Sequence, residues 1–322
     1  MEQPDAFLPL LKSEAGYISS QALAKKAGIL RSAVRKQIRM LRWYGYAIES
    51  RHGLGYRLAG ETDLPVPWEL ARVLRNSFIG KSVVYRETAD STQNIAISLA
   101  TKPNSHGTVV IAEQQKSGRG RQKRKWVSPK GGIWLSVVLK PSIPTAKITL
   151  LPFAAALAVC EAIRTIGLAA RLKWPNDVMI SGKKVAGILL DINAEVDQVN
   201  HAVIGIGINA NVDSAAITAR TNGMKITSIS DELGRSISRL DLTRTLLENL
   251  ERFYLEMERH GAGAILQKWR ENSDMLRRKV AVVQNSKIIH GVAADINNDG
   301  SLLLRTDHGD INVVAGDIHV LY

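Results

Sequence analysis

A chain of 322 residues is too long for one small module and too short for a large assembly, so two or three domains are expected. With 45% hydrophobic and 23% charged residues it can bury substantial cores, which excludes general disorder. Its 43 Lys+Arg against 30 Asp+Glu give a formal charge of +13, pointing to polyanionic partners: nucleic acid, nucleotides or acidic proteins. The single cysteine, Cys160, rules out an intramolecular disulfide. The opening residues lack a basic segment followed by an apolar run and a small-residue cleavage site, so a cytoplasmic setting is expected. The longest apolar stretch, 150–160, contains Pro152 and is shorter than the roughly 20 residues that cross a bilayer, so no membrane anchor is expected. No His-Glu-x-x-His or Cys-x-x-Cys spacing occurs, so no protein metal site is expected and any metal comes with a substrate.

Residues 12–57 carry ten Lys/Arg against Glu14 and Glu49, a net +8. Within them Ser20 can cap a short helix that Gly28 ends. A second helix, from about Arg31 to Tyr44, places Val34, Ile38 and Leu41 on one face and leaves Arg31, Ser32, Arg35, Lys36 and Arg39 outward. Tyr46–Glu49 and Ser50–Leu58, with Arg51 and Gly53 between, read as two short strands about a glycine-bearing turn. Short helix, glycine turn, basic helix and wing stand in the order of a winged helix-turn-helix that reads a DNA major groove. Ser20, Arg31, Ser32, Arg35, Lys36, Arg39 and Arg51 are its candidate DNA contacts. The stretch Glu61–Pro67 holds two prolines that interrupt helix and strand, which sets a domain boundary near 62–67.

Beyond it, apolar alternation predicts strands at Val83–Glu87, Thr108–Glu113, Ile133–Lys140, Lys184–Leu190 and Ala202–Asn209. Helices are predicted over Leu70–Phe78, Leu150–Ile166 and Leu242–Met257. The region from Val83 to Met275 is mixed α/β. Gly80-Lys81-Ser82 reads as a turn rather than the end of a phosphate loop, because the preceding residues are helical in pattern. Gly205-Ile-Gly207 sits inside the alternation of Ile204, Ile206 and Ile208. It reads as strand, its glycines letting another chain or a ligand approach.

The segment Glu113–Trp126 contains Gly118-Arg119-Gly120-Arg121 within a cluster of seven basic residues and no acid between 116 and 130. The glycines free the backbone to wrap a ligand, and the arginines offer forked donors to phosphate or carboxylate oxygens. Alone, it could equally be a disordered basic loop or an arginine-rich nucleic-acid segment. Lys173-Trp-Pro-Asn176-Asp177 then leads through a Ser181-Gly182 turn into Lys184-Val-Ala-Gly187. Asn176–Asp177 fits turn chemistry as well as a site, and Lys184 could be a solvated hairpin lysine. The tail, 276–322, alternates short β-rich runs with turn signals at Asn285-Ser286, 297–300 and 307–310, as in a small β-barrel.

Taken in order, Asp90-Ser91-Thr92, Gln115, Gly118–Arg121 with Arg124-Lys125-Trp126, Lys173–Asp177, Lys184–Gly187 and Gly205–Asn209 resemble the biotin protein ligases over essentially the whole chain. With the helix-turn-helix in front, the resemblance is to the bacterial bifunctional biotin protein ligases, biotin–[acetyl-CoA-carboxylase] ligases that are also biotin operon repressors. It implies an α+β multidomain chain: a winged helix-turn-helix at 1–62, a mixed α/β ligase domain at 67–275 resembling the class II synthetase/biotin–lipoate ligase fold, and an SH3-like barrel at 276–322.

It further implies activation of biotin by ATP, with Mg2+ accompanying the nucleotide, to biotinyl-5′-AMP. Transfer to a lysine of the biotin carboxyl carrier protein of acetyl-CoA carboxylase would follow, and the adenylate would act as corepressor for a homodimer on operator DNA. By motif match, Ser91, Thr92, Gln93, Gln115, Arg119, Gly120, Arg121 and Lys184 would bind biotin. Arg121, Trp126, Asn176, Lys184 and Asn209 would bind ATP or adenylate. Lys184, Arg119 and Arg121 would be catalytic, and Asp177 would orient the acceptor lysine or a cation. The sequence departs from the family pattern at Lys123, where glycine is usual, at Met224-Lys225 in the Asn222–Thr227 loop, where tryptophan is common, and in the order Gln93-Asn94. A ligand-sensing transcription factor with a ligase-like domain, and a lipoate–protein ligase, remain alternatives.

Overall fold

The computed structural model describes residues 7–195, 198–221, 224–284 and 287–321; the Asn285-Ser286 turn and the start of the Asn222–Thr227 loop lie outside them. The chain begins with helices α1 (Leu8–Lys12), α2 (Ser20–Ala27) and α3 (Arg31–Trp43) and a hairpin of β1 (Ala47–Arg51) and β2 (Gly55–Gly60). Gly28 ends α2 at φ +63°, a left-handed turn that costs glycine little. The N-cap is Ser19, not Ser20: the Ser19 hydroxyl accepts the Ala22 N–H at 3.1 Å, and Ser20 is the first helical residue. A cap needs extended backbone, and the bridge of Ile18 to Tyr56 holds the chain extended up to Ser19. A Cβ at Gly55 would come within 2.0 Å of the Ile18 carbonyl oxygen, so this close approach requires glycine. Val34, Ile38 and Leu41 of α3 are buried, as their spacing predicts.

The proline-bearing segment after β2 is packed. Val66 is buried, and the Asp63 carbonyl accepts the Leu240 N–H at 2.8 Å. Pro67 opens α4 (Pro67–Val73), which starts three residues before the helix expected at Leu70–Phe78 and ends five residues short of it. Proline at the first helical position lacks only an N–H that would have no partner there. Gly80-Lys81-Ser82 forms the turn before the next strand.

Then follow β3 (Val83–Ala89), α5 (Thr92–Ala100), β4 (Val109–Gln115), β5 (Ile133–Leu139), α6 (Leu151–Arg164), β6 (Arg171–Lys173), β7 (Asp177–Ile180), β8 (Lys183–Ala194) and β9 (Val199–Ile208). These strands form one seven-stranded sheet in the order β3-β4-β5-β9-β8-β7-β6, parallel only between β3 and β4. Successive residues of a strand face opposite sides: Val109 and Ile111 join the main core, while Val110 packs with Val138, Val203 and the small Ala96 and Ala100 of α5. On the main-core side lie α6 and, after short helices α7 (Ser214–Thr218) and α8 (Ile229–Leu233), the long α9 (Arg239–His260) and α10 (Gly263–Glu271). The helical run Thr145–Arg164 is apolar enough to span a bilayer by composition, yet 72% of that window is buried inside the protein, so it is a core helix.

The tail folds as β10 (Lys279–Gln284), β11 (Lys287–Ile296), β12 (Leu302–Thr306), β13 (Gly309–Val313) and β14 (Asp317–Val320), a five-stranded antiparallel sheet in the order β13-β12-β11-β10-β14. It is anchored where Trp174 Nε1 donates to the Gly300 carbonyl at 2.9 Å and Arg270 pairs with Asp295 at 2.7 Å.

Two buried carboxylates join the N-terminal head to the central region. Glu69 of α4, 1% exposed, accepts from Lys12 at 2.9 Å, Tyr46 at 2.5 Å and Arg72 at 2.9 Å. Arg239, at the start of α9, reaches Asp63 at 2.7 Å and buried Glu113 of β4 at 2.8 Å. Burial alone would raise the Glu69 pKa, but the hydrogen bonds from Tyr46, Lys12 and Arg72 outweigh it and hold the group below its ordinary value.

Since the folded-state value is depressed, the stability Glu69 supplies is complete above the ordinary carboxylate pKa and is lost as pH falls through the lower folded value. Glu69→Gln should therefore destabilise the protein by about 1–3 kcal/mol at neutral pH, and denaturant titrations should show the difference from wild type shrinking in acid. A difference that is constant with pH would contradict this role.

Candidate functional site

The sheet, the loop after β4 and the inner edge of the C-terminal strands enclose a cavity of about 560 Å³. The candidate small-molecule residues converge on it from six places. Ser91, Thr92 and Gln93 lie at the start of α5, and Gln115 ends β4; Arg119, Gly120, Arg121 and Trp126 come from the basic loop. Asn176 and Asp177 are at the β6–β7 turn, and Lys184 and Asn209 lie on β8 and just past β9.

One wall is a connected polar array. The backbone N–H and hydroxyl of Thr92 reach Gln115 Oε1 at 2.8 and 3.1 Å. The hydroxyl also meets Ser136 at 2.9 Å, and Ser136 in turn donates to Gln93 Oε1 at 2.9 Å. The Gln93 amide donates to Asp191 at 3.0 Å and to the Val203 carbonyl at 2.9 Å. Gln93 fits because Gly205 faces it: a Cβ at 205 would stand 2.5 Å from Gln93 Oε1. Buried polar atoms without partners are costly, and here Ser91 Oγ and Asn209 Oδ1 are buried with none among the described residues. Both are atoms a polar ligand could satisfy.

The basic loop folds on itself. Arg119 pairs with Lys125 across a backbone bridge, the Gly120 N–H bonds the Arg124 carbonyl at 2.8 Å, and Gln122 and Lys123 take φ values of +53° and +59°. Lys123, the departure from the family's glycine, thus holds a left-handed conformation that a side chain disfavours. Trp126 closes the loop by lying against two strand glycines: a Cβ would come within 3.0 Å of its ring at Gly187 and 2.6 Å at Gly207. The close approach expected at Gly205-Ile-Gly207 is thus made by Gln93 and Trp126 of the chain itself.

The cations of this cavity are largely tethered. Lys184 Nζ pairs with Asp177 at 2.6 Å and sits 5.1 Å from the centre of the Trp126 ring, while its backbone bonds Lys225 and Thr227. Arg119 reaches Asn94 at 3.0 Å and Asp191 at 3.1 Å. Arg121 donates to Asn176 Oδ1 at 3.2 Å, and the Asn176 amide donates to the Ile188 carbonyl. Burial pushes the Arg121 pKa down, with Asp177 partly offsetting it. Arg124 pairs with Asp317 of β14, linking the loop to the C-terminal sheet.

Ser136 and Asp191 escaped the sequence reading, although a lone serine inside the apolar strand Ile133–Leu139 was a usable signal. Asp317 carried none, because its partner lies 193 positions away.

The second set of candidate residues lies on the N-terminal head. Arg31, Ser32, Arg35, Lys36 and Arg39 are exposed on α3, as is Arg51 at the hairpin turn, and Ser20 is half-buried. Among the described residues, several of the ten basic residues between 12 and 57 are bonded within the protein. Lys12 bonds Glu69, Lys26 pairs with Glu14, Arg57 with Glu49, and Arg42 braces α3 to the hairpin through the Ile48 carbonyl and Ser50. Arg31, Arg35, Lys36 and Arg39 are exposed on the outer face of α3, where the spacing places them.

Three family models match the chain: an HTH domain over residues 6–57, the Biotin/lipoate A/B protein ligase family over residues 85–209, and the Biotin protein ligase C terminal domain over residues 278–321. The bifunctional ligase/repressor BirA of Bacillus subtilis is 34% identical over 314 residues, covering 96% of both chains. BirA of Escherichia coli is 30% identical over 301 residues, covering 92% of this chain and 91% of its own. Among solved structures, a biotin protein ligase from Aquifex aeolicus in complex with biotin and ATP matches with TM-score 0.62 at 26% identity, over 75% of this chain and 99% of that one.

Gly207→Ala should cost about 1–3 kcal/mol by forcing Trp126 off the strand, and Trp126→Ala should remove much of that cost. A double-mutant cycle in denaturant measures the coupling. Additive losses would show that Trp126 does not depend on the glycine.

Proposed function

This chain belongs to the family of bifunctional biotin ligase/repressors, and from that premise we propose that the cavity activates biotin with Mg-ATP and passes it to a carrier lysine. The same ligand would control operator binding by the N-terminal head. The observation that carries this reading is Lys184, which stands between the uncharged polar wall and the basic loop and is held by Asp177 at 2.6 Å.

Biotin's ureido group suits the wall of Ser91, Thr92, Gln93 and Gln115, whose donors and acceptors are uncharged. Its carboxylate would then lie toward Lys184. The first step brings a carboxylate and a triphosphate together, so their repulsion must be offset and the carboxylate oxygen held in line with the α-phosphorus. We assign this to Lys184, Arg119 and Arg121, which exchange their protein partners for ligand oxygens. Magnesium enters as part of the nucleotide. Attack forms the carboxylate–phosphorus bond and expels pyrophosphate, leaving biotinyl-5′-AMP. Trp126, Asn176 and Asn209 would hold the adenylate, while the basic loop excludes water from the mixed anhydride.

In the second step a neutral lysine amine of the carrier attacks the biotinyl carbonyl and AMP leaves. Asp177, freed as Lys184 turns to phosphate, is placed to orient that amine. The carrier we propose is the biotin carboxyl carrier protein of acetyl-CoA carboxylase, in the cytoplasm.

For repression, the adenylate orders the loops about the cavity and favours a homodimer. The dimer pairs two heads, with Arg31, Ser32, Arg35, Lys36 and Arg39 entering successive major grooves and Arg51 on the backbone. Arg239 supports such a coupling, since it touches both Asp63 beside the head and Glu113, two residues before Gln115.

Two outcomes are expected. With biotin, Mg-ATP and a carrier domain, wild type should label the carrier, and Lys184→Ala should lose roughly 100-fold or more of adenylate formation; full activity in the variant would refute the assignment. Operator affinity, measured by gel shift or anisotropy, should rise when biotin and ATP are both present. Equal affinity with and without them would contradict the coupling.

A further inference from the structure

Among the described residues, one partly buried cation of the cavity makes no side-chain hydrogen bond or ion pair. Arg119, Arg121, Arg124 and Lys184 are each bonded to a side chain of the protein, and Lys125 and Lys225 are exposed to solvent. Lys173, on β6, lines the same cavity and is partly buried, yet among the described residues it makes no side-chain hydrogen bond or ion pair. Its backbone neighbours hold it firmly: Leu172 bonds Asn272 and Asp274 through its own N–H and carbonyl, and Trp174 is buried. Burial pushes the Lys173 pKa down; Asp177, and more weakly Asp317 and Asp274, oppose that, while nearby Lys184 adds to it. A partly buried ammonium with no bonded acceptor keeps its donors open to an anion that enters the cavity.

The sheet says which anion. Across β4-β5-β9-β8-β7-β6 the cavity residues run from Gln115 and Ser136, past Asn209, to Lys184, Asp177 and finally Lys173. Neighbouring strands are about 4.8 Å apart, so Lys173 starts two strands, on the order of 10 Å, beyond Lys184. In-line displacement puts the leaving group opposite the nucleophile. A carboxylate arriving from the β4–β5–β9 side and meeting phosphorus near Lys184 drives the leaving group toward β7 and β6.

We propose that Lys173 is the binding group for the β- and γ-phosphates of ATP and for the pyrophosphate that leaves. This rests on the ligase reading above. As the biotin carboxylate oxygen bonds the α-phosphorus, the bond from that phosphorus to the bridging oxygen breaks and its electron pair goes to pyrophosphate. Lys173 compensates the charge that accumulates there and transfers no proton. Because it acts on the leaving group, it has no part in the attack of the carrier lysine.

The two half-reactions separate the outcomes. Lys173→Met should slow adenylate formation from biotin and Mg-ATP by roughly 100-fold and raise the KM for pyrophosphate when supplied biotinyl-5′-AMP is converted back to ATP. Transfer from supplied biotinyl-5′-AMP to a carrier domain should keep its wild-type rate. Lys173→Arg, which keeps the charge, should recover much of the first step. Unchanged activation in Lys173→Met overturns the proposal. So does loss of the transfer step with activation kept, or loss of both steps that arginine does not restore. A wild-type protein that makes no adenylate at all would instead refute the ligase reading.

Discussion

Collecting positive charge in a closed space is the constraint on which this molecule is built. Two anions have to meet in the cavity, so cations must wait there, and a waiting cation needs an acceptor that gives way. The ion pair of Lys184 with Asp177 is the clearest instance, with Arg119 on Asp191 and Arg124 on Asp317 repeating the device at more exposed positions. Each acid neutralises a cation in this structure and, on the reading proposed above, would be released when phosphate takes its place. An exposed pair contributes at most about 1 kcal/mol, so those exchanges are inexpensive. Lys184 and Asp177 are more deeply buried, so on the same reading the release of Asp177 would follow the arrival of ligand.

The scaffold serves that cavity by leaving room for side chains. Glycines at 187, 205 and 207 remove Cβ atoms where Trp126 and Gln93 lie flat on the sheet. The C-terminal strands complete the wall through Asp317, and the head is fastened by Glu69 and Arg239. All three regions contribute to one connected core. The head therefore does not hang from a free tether. Its fastening at Arg239 also grips β4, the strand that ends in Gln115, so the strand carrying the polar wall is bonded to the segment that follows the head.

Much of this was legible in the sequence because periodicity and turn chemistry are local. The α3 stripe of Val34, Ile38 and Leu41, the turn at Gly28 and the strand through Gly205–Gly207 all follow from neighbours in the chain. The cap at Ser19 was missed by one position because two adjacent serines are chemically equivalent, and only the bridge from Ile18 to Tyr56 distinguishes them. Strands β6 and β7 are too short for alternation to register, and α5 is too uniformly apolar on one side and polar at its start. The tethers on the cations, Asp191 and Asp317, are long-range partners that no local pattern encodes. Their absence from the sequence reading made the basic loop look freer than it is.

The two basic clusters have separate tasks in this account, one facing DNA and the other enclosing an adenylate. The claim that joins them is that carboxylate activation occurs in the Lys184 cavity. Exchange of labelled pyrophosphate into ATP by the purified chain tests it most directly, since it reads the first half-reaction without carrier or operator. Exchange should require both biotin and magnesium and should fail with lipoate in place of biotin. Exchange independent of biotin, equal exchange with lipoate, or none at all would contradict the account.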